Sequence, residues 1–182
     1  CSIINQHTRN HASQSDIPVR IRGFARGWVH RIETNKATAL GGTLDSSTTC
    51  NGVLVEVSSE LLQELDEREL TVGYRREKIA WSHVEAWAGY TLPKEGNVYV
   101  YTTVEPQPAT EQYPIEQTYL DTVIWGCLQY GEEFTREFVH TTNHWMPPVN
   151  DREQPLYPRW SPEYATSEVD SIMQELFSDT HP

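Results

Sequence analysis

The stretch GVLVEVSSELLQELDERELTVGY, residues 52–74, contains a change of hydrophobic period. Its first six residues are mostly apolar and β-branched, which is typical of a strand. A serine then offers a helix N-cap, and three leucines follow at helical spacing: Leu61, Leu62 and Leu65. The pattern predicts a strand, a short helix of about two turns that closes into residues 66–69, and a further strand from Tyr74.

Other strand patterns lie on both sides of this stretch. Apolar and polar residues interleave over four segments: residues 19–32, 36–40, 74–84 and 97–104. Gly23 and Gly27 predict a bulge or bend in the first segment. The pair Gly41-Gly42 predicts the end of the second.

Two further helices are predicted towards the C-terminus. The first covers about residues 115–140 and is divided at Gly131, and the last begins after Thr166 or Ser167. Between them, residues 143–164 hold five prolines together with the large aromatic residues Trp145, Tyr157 and Trp160. Prolines lower the entropy lost on ordering, so we expect an ordered extension held by its aromatic side chains.

This order of elements predicts an α+β fold. We expect a small, bent, mixed or antiparallel sheet that curls into a β-barrel and is packed by helices. Residues 1–142 would form this domain. Residues 143–182 would form the proline-rich extension and a C-terminal helix packed on the same domain.

Charge and hydropathy exclude several classes of partner. The chain has 26 acidic and 14 basic residues and a net charge of −12, so it repels phosphate backbones and anionic lipid surfaces. No apolar run is long enough for a membrane span, and no leader-like segment opens the sequence. We expect a cytoplasmic protein that binds neither nucleic acid nor membrane.

Cysteines and histidines give no metal or disulfide signature. Cys1, Cys50 and Cys127 are widely spaced, which favours a reducing compartment over a disulfide framework. A catalytic N-terminal Cys1 is a less favoured alternative. Two histidine pairs, His7/His11 and His140/His144, have i, i+4 spacing. Neither pair has a cysteine nearby or lies in a His-Glu-x-x-His motif. We therefore expect no metal and no cofactor.

The helix followed by Leu65-Asp66-x-Arg68-Glu69 and Gly73-Tyr74 resembles the central motif of the γ-glutamylcyclotransferase superfamily, which includes the ChaC and AIG2-like proteins. The likeness covers about residues 18–140 in the correct order. It includes three strands and one helix. The strands are Gly-Phe-Ala-Arg at residues 23–26, the apolar strand at residues 52–57 and Val-Tyr-Val-Tyr at residues 98–101, and the helix begins with a tyrosine and covers residues 119–131.

The resemblance implies an enzyme that cyclises a γ-glutamyl amide to 5-oxoproline. Glu69 falls on the catalytic glutamate, which would act as general acid and base. Tyr119 falls on an aromatic residue of the substrate pocket, and Tyr74 is expected beside Glu69. Glu60 falls on a second acid that some ChaC enzymes have. Read without the resemblance, Glu60 is a first-turn acid that stabilises the helix dipole.

The acidic neighbours of Glu69 are expected to have structural roles. Either Asp66 or Glu67 would hold Arg68 or the helix end, and neither would take part in chemistry.

One part of the superfamily pattern is absent from this chain. The superfamily has a Tyr-Gly-Ser-Leu loop whose backbone cradles the substrate, and no such tetrapeptide occurs here. Cys1 stands about where the residues after that loop are expected. Either the loop precedes Cys1 in the natural protein, or the protein lacks this cradle. Two alternatives to the enzyme also stay open. One is a non-catalytic module with the same fold that binds a small molecule or a partner, and the other is an acidic interaction protein that grips a partner with its proline-rich extension.

Overall fold

The computed structural model describes residues 4–8 and 16–178. Strands in these ranges are β1 Asp16–Ile32, β2 Ala37–Val55, β3 Tyr74–Ile79, β4 Val84–Ala86, β5 Val98–Thr103 and β6 Thr142–Asn143. The α-helices are α1 Ser59–Thr71, α2 Gln117–Leu128, α3 Glu132–His140 and α4 Thr166–Ser178. A 3-10 turn, Trp81–His83, precedes β4.

The strands confirm a mixed α+β architecture. β1 pairs with β2 and β4 in antiparallel fashion and with β6 in parallel, while β3 and β5 form an antiparallel pair of their own. Side chains from β1, β2 and β5 line one cavity together with α1. The candidate site therefore lies between the two sheets.

The prediction that Gly41-Gly42 ends a short strand is wrong, because β2 continues through both glycines. A Cβ at Gly41 would lie 2.1 Å from Thr103 Oγ1, and one at Gly42 would lie 2.0 Å from Phe24 Cζ. The two glycines allow close approach of neighbouring atoms inside the sheet rather than forming a turn.

The bulge expected at Gly23 is present, since the register of β1 shifts between Arg22 and Phe24 and Gly23 has φ +83°. Gly27 has a different role from the bend that its position predicts. It pairs regularly with Gly41, and a Cβ there would lie 3.2 Å from the carbonyl oxygen of Asn143. Gly27 therefore makes room for β6.

Helix α1 is longer than predicted. It spans 13 residues with Ser58 as its N-cap, so the charged run Asp66–Glu69 lies inside the helix. Glutamate and arginine are good helix formers, and Asp66 is held by Arg76 of β3, which stabilises the last turns. The strand predicted over residues 74–84 ends at Ile79 and resumes as β4 after the 3-10 turn.

The predicted division of the long helix at Gly131 is confirmed. Gly131 has φ +99° and separates α2 from α3. Both helices contribute to the main core, in which Trp28, Leu120, Ile124, Phe134 and Phe138 are almost completely buried.

Aromatic side chains of the extension contact the domain. Trp145 packs edge-on against Trp28 with ring centroids 5.3 Å apart, and its Nε1 donates to the Val139 carbonyl at 3.1 Å. Tyr157 packs edge-on against Tyr119 at 4.9 Å. Helix α4 contributes Val169 and Met173 to the same core.

Within residues 4–8 and 16–178, none of the helices combines the length and apolar character needed to cross a lipid bilayer.

Candidate functional site

A cavity of about 300 Å³ lies between the two sheets and α1. Its wall is mostly apolar and includes Val19, Val53, Leu65 and Val100. Among the described residues that line it, Glu69 supplies the only carboxylate. A single acid in a mostly apolar cavity wall is a candidate general base, because it is the acidic group that a bound substrate could reach there.

Helix α1 places Glu69 in its last turns, with a side chain that is 16% exposed. The preceding residue holds its carboxylate: Arg68 Nε and Nη2 donate to Glu69 Oε1 at 2.9 Å and 2.5 Å. Of the two roles expected for Asp66 or Glu67, holding Arg68 is not observed, whereas Asp66 does tie the end of the helix to Arg76 of β3. Arg68 binds the candidate catalytic residue itself.

Asp66 instead organises the wall next to the site. The Tyr101 hydroxyl donates to Asp66 Oδ1 at 2.8 Å, and Arg76 donates to Oδ2. Burial, the hydrogen bond to Asp66 and nearby negative charge, including that of Glu69, raise the pKa of Tyr101. Asp66 thus connects α1 to β3 and β5.

Tyr74 lines the cavity beside Glu69. Its hydroxyl donates to the Leu40 carbonyl at 2.8 Å, which ties β3 to β2. Burial raises the pKa of Tyr74, and the negative charge of Glu69 raises it further. At neutral pH, Tyr74 is therefore a neutral phenol near Glu69.

His30 packs against the site without lining the cavity, and the sequence patterns do not single it out. Its ring stacks on Tyr74 with centroids 3.9 Å apart, and its side chain is nearly buried. Nδ1 has no hydrogen-bond partner in the part of the chain that the structure describes. Burial lowers the pKa of His30, while the nearby Glu69 charge raises it by a smaller amount. A histidine within an alternating strand gives no sequence signal of this placement.

Tyr119 lies behind this group rather than in the cavity wall. It is buried in α2, where its ring packs edge-on against Trp28 at 5.8 Å and against Tyr157. Burial raises the pKa of Tyr119, with smaller contributions that include Tyr74 and Glu69. The electrostatic influence of Glu69 thus extends to Tyr119 although the cavity lining does not include it.

Glu60 is separate from these residues. It is exposed in the first turn of α1 and is not among the residues that line the cavity. Hydrogen bonds with its own backbone and with the Ser58 side chain lower its pKa. This geometry is that of an acid at a helix N-terminus.

The first described residues of the chain pack near the cavity. Asn5 is fully buried and donates through Nδ2 to the Thr122 carbonyl of α2 at 2.8 Å. A Cβ at Gly126 would lie 2.7 Å from the Asn5 backbone nitrogen, so this segment is fitted tightly against the helix. Ile4, next to Asn5, lines the cavity.

Residues 4–8 and 16–178 contain no group of three His, Cys, Asp or Glu side chains arranged to hold a metal ion. His140 ends α3, whereas His144 follows β6 with φ +60°. Of the other histidine pair, His7 is described and His11 lies outside the described residues.

Solved structures share this architecture over nearly the whole chain. A solved γ-glutamyl cyclotransferase is 17% identical and has a TM-score of 0.59, and the match covers 96% of this chain and 94% of that chain. An uncharacterized human protein, loc79017, is 18% identical with a TM-score of 0.56, over 95% of this chain and 94% of its own. No protein-family model and no curated protein sequence matches the chain.

Identity this low establishes the fold and leaves the reaction to be argued from the site. The chain therefore has the fold of γ-glutamyl cyclotransferase, as its sequence motifs imply.

Proposed function

We propose that this protein is a γ-glutamylcyclotransferase-like enzyme in which Glu69 is the general acid and base. The observation that carries the proposal is the position of Glu69 as the single carboxylate in the described wall of the cavity, next to Tyr74. Its charge affects the pKa of Tyr74, Tyr101, Tyr119 and His30, so it lies among several polar aromatic groups. The shared fold adds support, since one solved neighbour is a γ-glutamyl cyclotransferase.

The proposed reaction needs few protein groups because the nucleophile belongs to the substrate. The α-amine of a γ-glutamyl amide attacks the γ-carbonyl carbon, which gives 5-oxoproline and a free amine. Intramolecular attack has a high effective concentration. Glu69 would take a proton from the α-ammonium and return it to the leaving nitrogen.

Tyr74 and Tyr119 would position the substrate from different layers. Tyr74 lies in the cavity wall, whereas Tyr119 is buried in the core outside the lining, so its effect on the substrate would be indirect. Glu60 is exposed outside the lining, so we assign it to helix stability rather than to substrate binding. The free, buried thiols of Cys50 and Cys127 agree with a reducing compartment, and we place the enzyme in the cytoplasm.

A non-catalytic binding module on the same fold is the alternative. The observation that favours it is the Arg68–Glu69 ion pair, in which the candidate base already has a partner. A module of this kind would bind the same ligands without releasing 5-oxoproline.

Replacement of Glu69 by glutamine separates the two functions. Glutamine keeps the shape of the side chain and removes its proton transfer, so Glu69→Gln should lose at least ~10²-fold in 5-oxoproline release. The assay should cover glutathione, γ-glutamyl amino acids and γ-glutamyl polyamines, with the melting temperature measured alongside.

Glu67→Gln is the matched control because Glu67 is exposed on the same helix. It should retain wild-type activity. Equal activity of the wild type and Glu69→Gln would overturn the role of Glu69, and binding without turnover by the wild type would favour the non-catalytic module.

A further inference from the structure

The contact between Arg68 and Glu69 joins two consecutive residues of one helix. Consecutive side chains on a helix point in different directions, so helical spacing does not produce this pair. Arg68 reaches Glu69 because its side chain is long, and both donated hydrogen bonds fall on the single oxygen Oε1.

The two partners differ in their surroundings. The Arg68 side chain is 33% exposed and is not among the residues that line the cavity, whereas that of Glu69 is 16% exposed and lines it. An arginine at the rim can turn towards solvent without leaving a buried guanidinium. Removing Arg68 alone would leave the Glu69 carboxylate in a mostly apolar wall without its counterion, which is costly.

We propose that the α-amino-acid head of the substrate inserts into this ion pair, with its α-ammonium on Glu69 and its α-carboxylate on Arg68. The inference deepens the proposed function and rests on it. The Arg68–Glu69 pair has no net charge, and neither does the zwitterionic head. Their exchange therefore forms two new ion pairs and leaves no charge without a partner.

The cation in the described wall of the cavity, Arg26, already has hydrogen-bond partners. Arg26 lines it, but its buried guanidinium donates to the Asn51 and Phe138 carbonyls and to the hydroxyls of Thr141 and Thr142. Among the described residues, the acidic partner of Arg68 is Glu69, and the substrate carboxylate would take the place of Glu69 on the guanidinium. An arginine also suits a carboxylate because its parallel N–H groups match the two oxygens.

The same exchange accounts for release of the product. Glu69 takes one proton from the α-ammonium, the nitrogen bonds to the γ-carbonyl carbon, and the bond to the leaving nitrogen breaks as Glu69 returns that proton to it. The attacking nitrogen loses its second proton to solvent as it becomes the lactam N–H. The nitrogen of 5-oxoproline is an uncharged lactam, so Glu69 loses its cationic partner. Arg68 then returns to Glu69 and the product carboxylate loses its ion pair.

The inference is tested with two substrates that differ only in the α-carboxylate. These are the γ-glutamyl amide of 4-nitroaniline and the 4-aminobutanoyl amide of the same amine, which would cyclise to pyrrolidin-2-one. Release of 4-nitroaniline gives kcat/KM for both. Because a hydrogen-bonded charge contributes enough for a tenfold to hundredfold effect, the wild type should prefer the γ-glutamyl amide by roughly 10- to 100-fold.

Arg68→Gln should abolish this preference by slowing the γ-glutamyl amide alone. Arg68→Lys should restore part of it, since lysine supplies the charge without the paired donors. Arg75→Gln is the control for lost charge, because Arg75 pairs with Glu77 at an exposed position, and it should keep the full preference. Equal slowing of both substrates by Arg68→Gln, or a wild type without preference, would overturn the inference.

A binding measurement makes the result independent of turnover. L-Norvaline has the same α-amino-acid head but no γ-carbonyl, and butylamine is its counterpart without the carboxylate. NMR titration of the wild type should show preference for norvaline, and Arg68→Gln should reduce the ratio of the two affinities at least tenfold. An unchanged ratio would overturn the head-group site, whereas discrimination without any release of 4-nitroaniline would retain the site and reject the cyclisation.

Discussion

At Gly41, the backbone of β2 approaches β5 so closely that no side chain fits. A Cβ at this position would meet Thr103 Oγ1 at 2.1 Å and Val29 Cγ2 at 3.0 Å. Leu40, the preceding residue, supplies the carbonyl that accepts from the Tyr74 hydroxyl. The packing at Gly41 therefore fixes one edge of the candidate site.

We predict that Gly41→Ala lowers the free energy of unfolding by about 1–3 kcal/mol, the usual range for overpacking. It should also reduce any activity at Glu69, since the Leu40 carbonyl must move. Urea unfolding measures the first effect and 5-oxoproline release the second. Gly52→Ala is the control in the same strand, because a Cβ there has no neighbour within 4 Å, and a loss of stability equal to that of Gly41→Ala would contradict the explanation.

At the scale of the element, two carboxylates meet at the N-terminus of α2. Asp151 accepts from the Thr118 backbone N–H at 2.8 Å and from its hydroxyl at 2.6 Å. Glu116 precedes the helix, is almost completely buried, and accepts from Asn35 Nδ2 at 2.6 Å. Burial and the charge of Asp151 raise the pKa of Glu116 to about 7.

This shift predicts how stability depends on pH. The raised pKa means that the folded state keeps the proton of Glu116 longer than the unfolded state does, so the stabilisation is complete below the ordinary pKa and is lost as pH rises through about 7. Glu116→Gln, which stays neutral, should be more stable than the wild type at pH 8 by roughly 1–2 kcal/mol after solvent screening is allowed for.

Urea unfolding at several pH values measures this difference, which should shrink towards pH 4.5. The exposed Glu111→Gln is the control and should not show the same trend. A Glu116→Gln variant that loses stability at pH 8 would show that the charged form is the favoured one.

At the scale of the whole molecule, Arg152 connects the extension to two helices. Its Nε and Nη2 donate to Asp121 of α2, both at 2.7 Å, and its other contacts reach Asp170 of α4. The Asp121 side chain is completely buried, whereas that of Asp170 is 55% exposed. Loss of the ion pair with Asp121 should therefore lower the free energy of unfolding much more than loss of the pair with Asp170.

Arg152→Ala should destabilise the protein by about 3–5 kcal/mol, because it leaves a buried carboxylate unpaired. Asp170→Asn is the matched control and should cost less than about 1 kcal/mol, as exposed pairs do. Thermal or urea unfolding measures both changes, and hydrogen exchange over residues 143–164 should increase in Arg152→Ala. Equal effects of the two substitutions would show that the extension is not held through Asp121.

Local patterns in the sequence determine much of the fold. The N-cap at Ser58, the bulge at Gly23, the break at Gly131 and the β5 strand follow from nearby residue types, because capping, positive φ and alternation act over a few residues. The motif around residues 65–74 is likewise local, so Glu69 and Tyr74 could be selected as candidates before the structure.

Only the tertiary structure decides the role of residues whose partners lie far along the chain. Gly41 has the sequence signal of a turn, yet Thr103, which is distant in sequence, makes it a point of close contact inside β2. His30 joins the site because β1 brings it against Tyr74, and Tyr119 falls behind the cavity because α2 packs into the core.

Arg68 is adjacent to Glu69 in the sequence, but which carboxylate it binds depends on the position of Arg76, which already occupies Asp66. Which of several nearby charges form ion pairs depends on their positions in three dimensions, and the order of residues alone does not determine those positions.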